Sequence, residues 1–383
     1  MVIKPEFFYV PKSWEVLRDI RNPKECYKQY SFGKTFDESY DYTTLFSGVL
    51  KYDNNVIITA PPFLNFKKFI NDNVDITDGK KKVNLTFQEL DRSAVAFGEI
   101  SEDATHLYFQ YKNDEPIGIQ IENTEIKKFE NKKVLFTMIK DDPMHWILNW
   151  VQYHHEVYGI DGFVLFSNNS EKYSCQELED YLKSDSYELC VVDWEMKWGV
   201  DGPPWDSDYC KIVGLEYFKY KFAYDSNFVL NLDIDEYFVS KYSIDEIIES
   251  MILNKKDSIN MESKNTSTYS ISQTDKIENY CWYHDEDVDF NKMVKWITLP
   301  KYSRSYPWTT HYVFSPNRDD TDDFYYAHMS ILTGQHHLKE NSGTNIANRR
   351  FLIRENGYKE DLFLKSGFKK MKKTIDVKTN GQK

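Results

Sequence analysis

The sequence predicts an α/β protein in which a small β-rich unit precedes a larger domain built on a mainly parallel central sheet. Three observations carry this. Up to about Asn131 the chain reads as short extended pieces between polar turns. From Lys132 strand and helix patterns alternate. The apolar run Phe228–Leu232 then ends abruptly in two carboxylates, Asp233 and Asp235. The expected organisation is residues 1–131 as a β-rich accessory unit, 132–350 as the α/β domain, and 351–383 as a peripheral, lysine-rich tail.

In the front unit the extended pieces are Thr43–Tyr52, Asn55–Ala60, Lys82–Phe87, Ala94–Glu99, His106–Tyr111 and Pro116–Ile121. Polar turns such as Tyr52-Asp53-Asn54-Asn55 and Lys112-Asn113-Asp114-Glu115 separate them, as in a β-sandwich. Behind it, Lys133–Ile139 reads as a buried strand. Pro143 opens a helix with Trp146, Ile147, Trp150, Val151 and His154 at helical spacing, and Gly159 stops it. Strands at Gly162–Phe166 and Glu188–Trp194 enclose a helix at Glu171–Ser184, the outline of a nucleotide-binding half-fold. After a Gly- and Pro-rich loop at Trp198–Asp206 come a helix at Tyr209–Tyr224, the strand Phe228–Leu232, a resumed strand at Tyr237–Val239 and a helix at Ile244–Leu253.

Composition excludes several classes. Hydrophobic residues at 41% and aromatics at 16% exclude a disordered chain. A formal net charge of −13 argues against nucleic acid as a partner. The five cysteines form no C-x-x-C pair, so neither a zinc site nor a disulfide framework is expected. Met1–Leu17 is interrupted by Lys4, Glu6, Lys12 and Glu15, and no later run is long and apolar enough to span a bilayer. No secretory signal or transmembrane anchor is expected, and the expected compartment is cytoplasmic or cytosol-like.

Two carboxylates at the end of a buried strand need a counter-charge. On an extended segment residues i and i+2 project to the same side, so Asp233 and Asp235 can share one divalent ion, or one can hold the ion while the other meets a ribose hydroxyl. Hard oxygen donors suit Mn2+ or Mg2+, and such an ion neutralises a diphosphate.

Several motifs occur together. They are Lys140-Asp141-Asp142, the helix Trp146 to His154, Gly159-Ile160-Asp161-Gly162-Phe163, Asn168-Asn169-Ser170, Asp233-Ile234-Asp235-Glu236-Tyr237, Lys295 to Pro300, His311, His328-Met329-Ser330 and Lys339. In order and spacing this series resembles glycosyltransferase family 92 and its bacterial relatives in the family 2 superfamily. Asp142 and Asn149 stand where that family has Glu, Met329 where it has Tyr, and its F-G-S strand is matched only loosely by Met261-Glu262-Ser263.

The resemblance implies a GT-A fold and a metal-dependent, inverting glycosyltransferase that moves a sugar from a nucleotide-sugar, a uridine diphosphate sugar such as UDP-galactose, to a glycan acceptor. Thr137, Lys140, Asp142, Asn168 and Ser170 would frame the base and ribose, although Asn168 and Ser170 equally suit capping of the helix that follows. Asp233 and Asp235 would bind nucleotide and metal. His328 would complete the coordination, with His311, His336 and His337 as competitors. Lys339, Arg304 and Lys301 are candidates against diphosphate charge. Glu262 is the candidate general base, and Trp282, Trp296 and Trp308 are candidate stacking platforms.

Three other functions remain open on the residues alone. A glycoside hydrolase needs two carboxylates held apart across a sugar, which an i, i+2 pair suits less well than a shared ion. A non-catalytic carbohydrate-binding protein would explain the aromatic excess. A nucleotidyltransferase would share both fold and acidic metal site, and its released pyrophosphate would distinguish it.

Overall fold

Strands drawn from between Val2 and His328 meet in one nine-stranded sheet, seen in a computed structural model that describes residues 1–19, 38–199, 209–266, 277–284, 294–329 and 358–380. Its order is Val2–Ile3, Glu188–Asp193, Gly162–Ser167, Lys133–Ile139, Phe228–Asn231, Val294–Thr298, Ser258–Asn265, Arg318–His328 and Glu236–Ser240. The first five strands pair in parallel. Val294–Thr298 is antiparallel to both of its neighbours, and Glu236–Ser240 closes the edge antiparallel to Arg318–His328. The parallel strands are apolar without alternation because helices cover both of their faces.

One face buries Leu135, Leu165 and Leu230 against Ile147, Trp150 and Leu178. The helix here runs Met144–Tyr158, with Pro143 before it and Gly159 ending it at a left-handed φ of 67°. Leu364, Phe368 and Met371 join the same core from a helix at Leu362–Asn380. The segment read as a peripheral tail therefore docks, because its three apolar side chains lie at helical spacing between the lysines. The opposite face buries Phe136, Phe166 and Trp296 against Val213, Phe218 and Trp308. Leu50, Ile57 and Val95 of the front unit join that second core.

The front unit holds a three-stranded and a five-stranded sheet. Phe46, Ile58, Leu107 and Phe109 are buried together between them. It differs from the sequence reading, and the extended piece Thr43–Tyr52 is two strands, Thr44–Phe46 and Gly48–Tyr52. Val2–Ile3 belongs to the large sheet. The expected strand at Lys82–Phe87 forms at Thr86–Glu89. A helix, Asn65–Asn73, precedes a strand at Val74–Thr77.

Edge strands expose unpaired backbone groups, and this one is covered by side chains. Trp150 Nε1 donates to Glu236 O at 2.9 Å, Tyr153 OH to Phe238 O at 3.0 Å, and Phe238 N to His154 Nε2 at 3.2 Å. His154 Nδ1 in turn meets Trp150 O at 2.8 Å, so the neutral tautomer with hydrogen on Nδ1 satisfies both partners. Burial pushes this imidazole down to about 3, which keeps it neutral at every working pH. One helix face thus fixes the strand that begins at Glu236. His154→Leu should destabilise the protein by about 1–3 kcal/mol, the penalty for an orphaned buried N–H. Denaturant unfolding would measure it, and an unchanged midpoint would refute the assignment.

Candidate functional site

Asp233 and Asp235 lie just beyond the carboxyl end of Phe228–Asn231, where ligands of parallel sheets bind. The chain between them turns instead of staying extended. Glu236 N donates to Asp233 O at 3.0 Å, and Asp233 N donates to Glu236 Oε2 at 2.7 Å. The expectation that both carboxylates point the same way rested on an extended segment, and this turn sends them to different partners.

Asp233 is held by two lysines. Its Oδ1 is paired with Lys211, from the helix Tyr209–Phe218, and its Oδ2 lies 2.6 Å from Lys295 Nζ. Lys295 also lies 3.0 Å from Glu236 Oε2. Burial works against charge on Asp233, but the two ammoniums outweigh it and hold the carboxyl far below the usual carboxylate range. Burial likewise opposes charge on Lys295, and Asp233 and Glu236 together overcome it. Among the described residues Lys211 pairs with one carboxylate, and burial pushes its ammonium down.

Asp235 has different partners. Its Oδ2 is 3.4 Å from His328 Nε2, and Met329 N donates to its carbonyl at 2.8 Å. His328 ends the strand Arg318–His328 directly opposite Glu236. Asp235, Glu236 and His328 each offer a ligand atom, all within 4.8 Å of one another. Two carboxylates and one imidazole can hold a divalent ion such as Mn2+, so the set does not need Asp233. Burial lowers the His328 pKa, but Asp235 and Glu236 more than offset that and raise it to about 9.

Asp142 belongs to the same neighbourhood. Burial raises its carboxyl to about 7, Lys140 N–H at 3.1 Å from Oδ2 partly opposes this, and the charges of Asp235 and Asp233 add to the rise. The two loops beside it are laced together. Asp141, at φ 57°, accepts from Glu171 N at 2.7 Å and Lys172 N at 2.9 Å.

The other expected residues separate. Thr137 is fully buried inside its strand, so its hydroxyl cannot reach a ribose. Asn168 donates to the carbonyls of Trp194 and Met196 at 2.9 and 2.8 Å, which fastens the end of the third parallel strand. Ser170 Oγ accepts from Asp141 N and Ser167 Oγ. Neither caps the next helix, which begins at Cys175 with Ser174 in a capping box. Lys140 is exposed. His311 Nδ1 bonds Val294 O at 2.9 Å, and the imidazole stands outside the metal-compatible group. Arg304 pairs with Asp225 at 2.9 Å and lies 4.0 Å over Tyr224. Lys301 is exposed. Trp296 and Trp308 are wholly buried and cannot stack on a sugar, while Trp282 is half-buried. Glu262 pairs in register with Val294 and lines a neighbouring groove. Lys339, His336, His337 and Ser330 lie outside the described residues.

Sequence reasoning gave no role to Lys211, Lys295 or Glu236. A lysine inside the apolar strand Val294–Thr298 was the available signal.

A metal ligand must be neutral imidazole, so binding displaces the His328 proton. With the folded pKa near 9 and an ordinary value near 6.5, His328 stabilises the metal-free protein fully below about 6.5, and that contribution is lost as pH rises through about 9. Mn2+ affinity should accordingly climb between about pH 6.5 and 9. Calorimetry across that range tests it, and a flat profile would remove His328 from the ligand set.

No protein-family model matches the chain, and no curated protein matches it. Among solved structures, the mannosyltransferase Ktr4p from S. cerevisiae in complex with GDP aligns at 14% identity, over 38% of this chain and 43% of that one, with a TM-score of 0.24. The bifunctional glycosyltransferase WbbM aligns at 10% identity, over 43% and 27%, with a TM-score of 0.26. A UDP-glucose pyrophosphorylase complexed with UDP-glucose aligns at 12% identity, over 52% and 90%, with a TM-score of 0.23. The chain thus spans less than half the length of the first two, and these likenesses are partial and distant.

Proposed function

We propose that the chain is a metal-dependent, inverting glycosyltransferase of the family 92 type, moving a sugar from a uridine diphosphate sugar to a glycan acceptor. The observation that carries this reading is the convergence of Asp235, Glu236 and His328 at the open end of a parallel sheet, beside Asp142. Mn2+ or Mg2+ held by these three side chains would supply positive charge against the diphosphate leaving group. Lys211 and Lys295 fix Asp233 and keep it ionised. Glu262, which lines a groove on the strand Ser258–Asn265, is the candidate base for the acceptor hydroxyl.

Incubating the protein with a panel of nucleotide-sugars and Mn2+ tests the reading through slow donor hydrolysis that chelation abolishes. Equal binding of uridine diphosphate with and without metal would contradict it. Release of pyrophosphate would favour a nucleotidyltransferase, and sugar binding without any nucleotide dependence would favour a carbohydrate-binding protein.

A further inference from the structure

We propose that the front β unit positions the candidate site through one helix: Glu122 grips the helix at its far end, so that Lys211 in its first turn holds Asp233 and the turn to Glu236. Only the effect on metal binding rests on the glycosyltransferase reading.

The helix Tyr209–Phe218 continues without a break as a π turn, Lys219–Ala223. Every residue from 210 to 223 is buried, so the helix has no solvated face on which to carry charge. It nevertheless carries Lys211, Lys219 and Lys221, exposed by only 4%, 1% and 4%. Each buried ammonium needs an anion, and each finds one in a different place. Lys211 pairs with Asp233. Lys219 Nζ lies 2.5 Å from Glu216 Oε2, one turn back, and donates to Tyr306 O at 3.1 Å. Lys221 Nζ crosses to the front unit, donating to Glu122 Oε2 at 2.8 Å and to Asn123 O at 2.6 Å.

Three further contacts clamp the same end. Tyr217 OH donates to the same Glu122 oxygen at 2.8 Å, and Glu125 N donates to Lys221 O at 2.7 Å. Glu122 lies on the strand paired with Gly48–Tyr52 of the five-stranded sheet. Gly48 on that neighbouring strand sits so close to the Tyr217 ring that a side-chain carbon there would collide with it. Lys221 and Lys211 are ten residues apart, roughly 15 Å along a helix. A helix held by its last turn fixes where its first turn lies. There Lys211 meets Asp233, whose N–H donates to Glu236 Oε2 at 2.7 Å. Neutralising Glu122 takes from buried Lys221 the one carboxylate it pairs with among the described residues, and the helix must shift to relieve that charge.

Hydrogen exchange of the full chain tests the coupling at the Asp233 amide, with the helix Met144–Tyr158 as reference for global opening. Glu122→Gln should speed Asp233 exchange at least tenfold relative to that helix, and Tyr217→Phe, which deletes one O–H, at least threefold. Ile119→Ala opens a cavity in the front-unit core apart from Tyr217, and it should leave this ratio as in the parent. In a Lys211→Met background Glu122→Gln should add less than twofold, because the link it acts through is gone. Parental exchange in Tyr217→Phe, an equal effect of Ile119→Ala, or an undiminished effect of Glu122→Gln beside Lys211→Met would each overturn the inference. Should Glu122→Gln fail to fold, Tyr217→Phe decides, alone and beside Lys211→Met. Calorimetry with Mn2+ should show at least threefold weaker binding by whichever of the two variants folds, and parental affinity there would also overturn it. A parent that binds no Mn2+ sinks the metal reading alone and leaves the coupling to the exchange data.

Discussion

Asp235→Asn is expected to lower nucleotide-sugar turnover at least about 100-fold while leaving the protein folded. A catalytic metal contributes several kcal/mol to the transition state, and about 1.4 kcal/mol is worth a factor of ten. The amide keeps the shape of the side chain and loses the charge that helps hold the ion. Folding should survive because Asp235 ties the strand ends together through its backbone carbonyl, which accepts from Met329 N–H at 2.8 Å. Two titrations should move with the change. Asp142, raised to about 7 by burial and then by its acidic neighbours, should fall. His328 loses the carboxylate that does most to hold its pKa near 9, and should fall as well. Both shifts are readable by NMR, and the thermal stabilisation by Mn2+ with uridine diphosphate should shrink. Near-parental turnover, or an unchanged metal-induced rise in Tm, would show that Asp235 is not a ligand.

Local signals in the sequence recovered much of this architecture. Apolar runs gave the parallel strands at Lys133–Ile139, Gly162–Ser167, Glu188–Asp193 and Phe228–Asn231, and Pro143 with Gly159 bracketed their first helix. Those features depend on neighbours within a few residues. The helix at Asn65–Asn73 was equally local, since Phe66, Phe69 and Ile70 have helical spacing, but short strands around it obscured the pattern. The site was legible in place and not in wiring. Asp233 and Asp235 mark the strand end beside which the metal-compatible group lies, yet the turn at Ile234-Asp235 divides them. Lys211 lies 22 residues before Asp233 and Lys295 lies 62 after it, so only the folded sheet brings the three together. Thr137 and Asn168 carry groups suited to a nucleotide, but burial and backbone bonding employ them in the scaffold.

That wiring separates the two aspartates experimentally. Asp233→Asn should destabilise the fold strongly, unlike Asp235→Asn. It removes the charge shared by Lys211 and Lys295, whose side chains are 5% and 2% exposed. Breaking a buried ion pair from one side leaves an uncompensated charge, at a cost of about 3–5 kcal/mol. Asp233 itself is 36% exposed, so water screens part of its interaction and the lower end of that range is expected. Lys295 keeps Glu236 as a partner at 3.0 Å, whereas Lys211 keeps no second carboxylate within ion-pair distance among the described residues. The orphaned ammonium should therefore be that of Lys211. Adding Lys211→Met to Asp233→Asn should then recover a large part of the lost stability, because the methionine fills the space without a charge. Urea unfolding of the parent, both single variants and the double variant closes this cycle. If Asp233→Asn unfolds at the parental midpoint yet abolishes Mn2+ binding, Asp233 is a metal ligand and its pairing with the lysines is not what stabilises the strand end.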